Sequence, residues 1–310
     1  MLNRIALCCG IALCCRPAWA SDLTRARPSP TLQNPNPTDQ SELFPVDRLV
    51  SDNTFAIRLQ EPSDQSGDEE DDAIATDRPD FTKSSSNIPV GRLQIESGYT
   101  FTYDRNGGER LNGHSLPETL LRYGYTETIE LRLGWNYLVE ESRHGRVGFR
   151  DSSDGAADLY VAVGLALSKQ CGWWPESKIN IQGTLPTGAD AFSAEKVNAG
   201  FNLLYGWDVS DFLTMGASTG INTVTEAGDD FVQFHQSWTI GYNLTEKLGA
   251  YTEWFGIYTT DAASTAPENY FDGGFTYKIT DDLQLDIRAG VGLNSHAHDF
   301  FTGAGFAIRF

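Results

Sequence analysis

The sequence predicts an all-β chain, an antiparallel transmembrane β-barrel of about 12 strands with a disordered N-terminal arm ahead of it. Three observations lead there. From about Val90 to Phe310 apolar residues recur at every second position. Ile129, Leu131, Leu133, Trp135 and Tyr137, for example, alternate with Glu130, Arg132, Gly134 and Asn136. A period of two puts the two sets on opposite faces of a strand. The links between such runs alternate in length, short then long, which a barrel with both termini on one side of a membrane requires and a soluble sandwich does not. Composition agrees: aromatics are 12% of the 310 residues, with 30 Gly and only 2 Met. Tyr, Phe and Trp suit strands, and Gly suits turns and close strand packing. The longest unbroken apolar run after the N-terminal leader, Leu159 to Leu167, is far shorter than the roughly 20 residues of a spanning helix.

The chain opens with Arg4, an apolar stretch from Ile5 to Cys15, and the small-x-small triplet Ala18, Trp19, Ala20. Residues 1–20 read as a secretory signal peptide cleaved after Ala20. Cys14 and Cys15 follow Ile11, Ala12 and Leu13, without the small residue just before a lipid-modified Cys, which argues against a lipid anchor. Four of the five Cys leave with this peptide, so Cys171 remains and no intramolecular disulfide can form. The formal charge of −19, made more acidic still by the loss of Arg4 and Arg16, argues against nucleic acid as a partner, since phosphate binding needs a basic surface.

Residues 21–74 carry Pro28, Pro30, Pro35, Pro37, Pro45 and Pro62 and the acidic run from Asp68 to Asp72. Such a stretch cannot bury enough apolar surface to offset its chain entropy and is expected to be a disordered periplasmic arm, with the patch from Leu43 to Leu59 as a candidate docking element. Residues 75–89 form a lead-in or plug segment, and 90–310 the barrel. Strands are expected near 91–104, 116–125, 129–138, 157–167, 177–187, 196–207, 212–223, 231–243, 248–258, 269–279, 283–293 and 300–310. Tight turns are expected at 126–128, 208–211, 244–247 and 280–282, and longer outer links at 105–115, 139–156, 188–195, 224–230, 259–268 and 294–299.

Aromatics on the apolar face gather at strand ends, among them Tyr125, Tyr277 and Phe310 at one end and Tyr137, Trp254 and Tyr258 at the other, as in the two girdles of a membrane barrel. The opposite face carries Arg92, Glu96, Arg122, Glu130, Arg132, Asp158, Asp272, Asp286 and Arg288, which become candidate lumen-lining residues. Glu130 with Arg132, and Asp286 with Arg288, are opposed charges two residues apart on one face. If 126–128 is a three-residue turn, Arg122 lies directly opposite Arg132, and like charges so placed need an acidic neighbour. Glu130, Asp158 and Glu96 are the candidates. Asp77, Arg78 and Asp80 are expected to reach into the lumen as a plug, with Pro79 keeping Arg78 out of helix. Phe306, Ile308 and Phe310 end the chain on an alternating apolar series closed by an aromatic, the pattern that barrel-assembly machinery reads in its substrates.

The stretch from Ala75 to Ser84, followed by Ile88 to Tyr103, resembles the "meta-pathway of phenol degradation" family of outer-membrane barrel proteins. The segments Leu120 to Glu127, Leu131 to Tyr137, Thr184 to Gly188, Asp272 to Tyr277 and Leu283 to Gly290 are similar to it as well. The likeness implies an outer-membrane barrel that passes small hydrophobic or aromatic molecules, and it carries no catalytic motif.

The functional expectation is therefore a channel or transporter for small, hydrophobic or aromatic solutes. A non-conducting structural or interaction barrel is the alternative, and a barrel hydrolase built on His235 and Ser237 a third, though it lacks an identifiable orienting group and oxyanion donors. Neither a cofactor nor a metal site is expected; the acidic loops near Asp151 and Asp230 match no complete calcium loop. The expected partners are outer-membrane lipid and lipopolysaccharide, the assembly machinery and a small solute.

Overall fold

The computed structural model describes residues 73–106, 109–144, 150–226, 229–260 and 267–310. The expected signal peptide, the arm up to residue 72 and the Leu43 to Leu59 patch lie outside the described residues. The first strands are β1 (Leu93–Asn106), β2 (Glu109–Gly124), β3 (Ile129–His144), β4 (Arg150–Gly155), β5 (Leu159–Ser168) and β6 (Glu176–Leu185). Then follow β7 (Asn198–Asp208), β8 (Leu213–Glu226), β9 (Asp229–Asn243), β10 (Leu248–Thr259), β11 (Glu268–Thr280), β12 (Leu283–Gly292) and β13 (Phe300–Arg309). All pairings between them are antiparallel, and β1 pairs with β13 from Gln94 opposite Arg309 to Tyr103 opposite Phe300, which closes the sheet on itself. On one side of β3, its first half pairs with β5 and its second half with β4. These two strands are one stave interrupted at 156–158, so the barrel is a closed ring of twelve staves. Among the described residues, closure leaves only β4, which pairs with β3 alone, with an unpaired edge.

Burial is the reverse of that in a water-soluble domain. Gln94, Glu96, Arg122, Glu130 and Lys178 have no exposed surface, while Ile181 and Ile287 are each 55% exposed and Phe275 50%. In β3 the alternation is direct: Glu130, Arg132 and Gly134 are buried, and Leu131, Leu133 and Trp135 are exposed. A continuous outward apolar belt of this kind is stable against lipid and unstable against water.

The strands differ from the sequence expectation mainly at the end that carries the long links. Much of 105–115, 139–156 and 224–230 is strand, in β1 to β4, β8 and β9. The fourth expected strand, 157–167, is the lower part of a stave that begins at Arg150. Above the apolar belt both faces of a hairpin are polar, so the alternation fades from the sequence while backbone pairing continues. His114, expected in a loop, therefore sits in β2, its Nδ1 2.8 Å from the Tyr99 hydroxyl.

Residues 74–92 make an irregular excursion through the barrel interior. The Ile74 N–H donates to the Asp281 carbonyl at 2.8 Å, and the Gly91 N–H to the Gly124 carbonyl at 2.8 Å. Both anchors lie at the short-turn end, so the segment enters and leaves there with its apex inside. Ile74 and Ile88 are 4% and 2% exposed.

The plugged lumen as candidate functional site

A segment without helix or strand leaves its backbone polar groups in search of partners, and here the barrel wall supplies them. Four wall glutamates are set around the interior. Glu96 accepts the N–H groups of Asp77 and Arg78 at 2.9 and 3.0 Å. Glu253 accepts those of Phe81 and Thr82 at 2.6 and 2.7 Å, and the Thr82 hydroxyl at 2.5 Å. Glu176 accepts the hydroxyls of Ser85 and Ser86 at 2.7 and 2.8 Å, and Glu130 the Ile88 N–H at 3.0 Å. Wall cations satisfy the plug carbonyls. Arg122 donates to Ala75 and Ser86, Lys178 to Ser86 at 2.8 Å, and Arg288 to Pro79 at 3.0 Å.

The arginine pair lies in the register that a three-residue turn dictates, with Arg122 opposite Arg132 and Gly124 opposite Glu130. Glu130 bridges the two guanidinium groups, 3.0 Å from Arg122 Nε and 2.7 Å from Arg132 Nη1. Glu96 is 3.2 Å from Arg122. Asp77 of the plug joins the same centre, 3.4 Å from Arg122 and in direct contact with Arg132 Nη2. Lys178 is 3.5 Å from Glu130. Three carboxylates thus face three cations in a centre closed to water. Burial alone would raise the Asp77 carboxyl, but the Arg132 and Arg122 guanidinium groups beside it hold it well below the usual carboxylate range.

A second tie involves Arg78, which pairs with Glu118 at 3.0 Å and with Asp286 at 3.3 Å. Arg288 is therefore not the partner of Asp286 that the two-residue spacing suggested; it turns to the Pro79 carbonyl and the Thr100 hydroxyl. Two other expectations need correction. Asp158 does not join the arginine centre. It lies in the break between β4 and β5, where it accepts the N–H groups of Thr187, Gly188 and Ala194 and folds the following outer link over itself. Arg92 lies at the short-turn mouth rather than in the lumen proper, sharing Asp282 with Arg309. Ser237 is hydrogen-bonded to Thr82 and Ser218, at 2.6 and 2.7 Å, and His235 turns its ring toward Phe81, so the two do not form a nucleophile–base pair.

Asp272 lies opposite Glu253 in the β10–β11 register and accepts the Tyr251 hydroxyl at 2.9 Å. Asp80 of the plug comes close to this pair. Burial and the charge of Glu253 push its carboxyl well up. Among the described residues no group of His, Cys, Asp and Glu is arranged to hold a metal ion. Phe306 and Phe310 point outward, 41% and 61% exposed, with Ile308 half-buried between them. Phe310 exchanges two backbone hydrogen bonds with Leu93 across the closing seam.

Above the plug a cavity of about 590 Å³ opens toward the long-link end, bordered by Arg78, Asp80, Phe81, Glu118, Tyr160 and Arg288. Sequence reasoning missed Lys178, Glu176 and the lumenal aromatics. Lys178 was legible, since it shares the alternation of Asn180 and Gln182 on β6.

A family model described as "Putative MetA-pathway of phenol degradation" matches residues 76–310, the plug and the whole barrel. No curated protein matches the chain. Among solved structures, the NanC porin is 11% identical, with 70% of this chain and 98% of that one covered and a TM-score of 0.44. The translocator domain of the autotransporter NalP from Neisseria meningitidis is 12% identical over 71% and 89%, with a TM-score of 0.46. The transport unit of the autotransporter AIDA-I from Escherichia coli is 10% identical over 71% and 89%, with a TM-score of 0.45.

Proposed function

Since the chain belongs to the family described as "Putative MetA-pathway of phenol degradation", we propose that it is an outer-membrane channel for small hydrophobic or aromatic solutes, closed at rest by residues 74–89. The observation that carries this reading is how the plug is held. It adds no strand to the sheet and hangs on side-chain hydrogen bonds to Glu96, Glu130, Glu176 and Glu253. A segment tied by polar side chains can detach while the barrel stays intact, because no ladder bond between staves breaks. The cavity above it gives a solute a place to arrive from outside. The buried charge centre supports the second reading, a permanently closed structural barrel, because its three carboxylates balance its three cations in number.

A removable lock separates the two. A Cβ placed on Gly206 would lie 3.4 Å from that of Ser85, close to the spacing of about 3.5–4.5 Å in a disulfide. Ser85→Cys with Gly206→Cys, in a Cys171→Ser background, should tie the plug to β7. Proteoliposomes carrying this variant are expected to exclude labelled phenylalanine, which crosses lipid slowly, when oxidised and to take it up when reduced. Equal exclusion in both states, with the disulfide verified, would favour the structural barrel.

A further inference from the structure

The interior on the long-link side of the plug departs from the polar rule of the rest of the lumen. Phe255 of β10, Tyr270 of β11 and Phe301 of β13 are 7%, 4% and 8% exposed and pack around Ala297 of the last outer link. The fourth ring of the cluster comes from the plug. Phe81 stacks on Phe255 with centroids 4.4 Å apart and planes 3° from parallel, and Phe255 stacks in turn on Tyr270 at 4.7 Å and 19°. His235 also packs on Phe81, with centroids 5.6 Å apart and planes 84° from parallel. Phe81 borders the open cavity, so one side of this ring slot meets the route by which a solute arrives.

We propose that the slot filled by Phe81 is the binding site for the aromatic ring of a solute, and that Phe81 is its built-in occupant. A flat ring entering from the cavity competes with Phe81 for the face of Phe255. Glu253 holds the N–H groups of Phe81 itself and of Thr82, so the ring in the slot and the apex tie of the plug belong to the same short stretch of chain. A solute in the slot displaces the ring of the residue whose backbone Glu253 holds, which links ligand recognition to the apex tie of the plug. Selection for planarity follows from the near-parallel stack, where an aliphatic ring of the same size loses face contact. Space is sufficient: an apolar cavity of about 150 Å³ accommodates benzene, and the adjoining cavity is several times larger. The inference rests on the channel reading for its biological sense, but the binding event does not depend on passage.

The test uses the full mature chain in detergent, with benzyl alcohol and cyclohexylmethanol as matched probes and binding read by calorimetry. Benzyl alcohol should bind about two- to tenfold more tightly than cyclohexylmethanol. Phe81→Ala should strengthen benzyl alcohol binding about tenfold, because the competitor is gone, and Phe81→Leu should do so less. Phe255→Leu, which keeps the wall filled without an aromatic face, should weaken it by a similar factor. Phe81→Ala binding no more tightly than the parent, or equal affinity for the two probes, would overturn the proposal. Ring binding of the expected kind without uptake in the reduced Ser85→Cys/Gly206→Cys protein would leave the site standing and remove the channel reading. Uptake that follows the disulfide but is indifferent to Phe81 and Phe255 would do the reverse.

Discussion

Arg122 is the residue on which the plug depends most, and Arg122→Met measures that dependence. Its side chain has no exposed surface. It donates two bonds of 3.0 Å to Glu130 and one of 3.2 Å to Glu96. Two more, at 2.9 and 3.0 Å, go to the carbonyls of Ala75 and Ser86 on the two limbs of the plug. Methionine preserves most of the volume, so the loss is chiefly of charge and donors. Asp77, Glu96 and Glu130 would then face only Arg132 and Lys178. Removing one partner of a buried ion pair costs about 3–5 kcal/mol, and each orphaned carbonyl adds about 1–3 kcal/mol if it stays dry. These contributions share one network and do not sum. Release of the plug into a wetted lumen relieves both, so the penalty falls on the seated state. A penalty of about 3–5 kcal/mol shifts the seated-to-released ratio by about a hundredfold to a few thousandfold. The assay is maleimide labelling of Ser85→Cys, a position 9% exposed when seated, in a Cys171→Ser background. Labelling should accelerate by at least about a hundredfold. Adding Asp77→Asn restores the balance of charge, and the double variant should be less perturbed than the two singles together, with a coupling of about 0.5–3 kcal/mol. Labelling within threefold of the parent (about that much being assay scatter), or strict additivity, would refute the claim that this charge centre seats the plug.

The plug should also respond to pH in a defined sense. Asp80 is raised in the seated state, by burial and by Glu253, so it favours seating while protonated; its contribution is full at low pH and is lost as pH rises through the raised value. Asp77 is depressed, so it favours seating while ionised, and that contribution is lost only when pH falls well below the ordinary carboxylate value of 3.8. Labelling of Ser85→Cys, normalised to a free peptide thiol, should therefore rise on the alkaline side, and Asp80→Asn should flatten that limb; a profile flat from about pH 5 to 9 in the parent would contradict this assignment. Deleting Phe310 removes the two backbone bonds to Leu93 and the terminal aromatic, and should lower the heat-modifiable, membrane-inserted fraction; unchanged yield would deny the residue an assembly role.

How far the sequence could be read depended on whether a residue sat in a repeating pattern. Glu130 and Arg132 were legible as inward residues because every second neighbour was apolar, and the Arg122–Arg132 register followed from the length of one turn. The break at 156–158 was not legible, because the stave continues into β4 above the apolar belt, where burial no longer distinguishes the two faces. The plug has no periodicity, so the acidic and basic character of Asp77 and Arg78 suggested ionic partners without identifying them. That Glu96, Glu176 and Glu253 catch backbone N–H and hydroxyl groups depends on the path of an irregular chain, which local pattern does not encode. Phe255, Tyr270 and Phe301 escaped notice for a related reason. Each is an apolar residue on the polar face of its strand, and only the closed barrel brings the three together with Phe81.

Single-channel recording in a planar bilayer shows whether the barrel is a pore closed by its own residues 74–89. The chain from Ser21 to Phe310 should give rare, brief openings on a near-zero baseline. The same chain lacking residues 74–86, verified as inserted by its heat-modifiable migration, should conduct steadily. A correctly inserted deletion variant that conducts no better than the parent, or a parent that is open from the start, would mean that this segment does not close the pore.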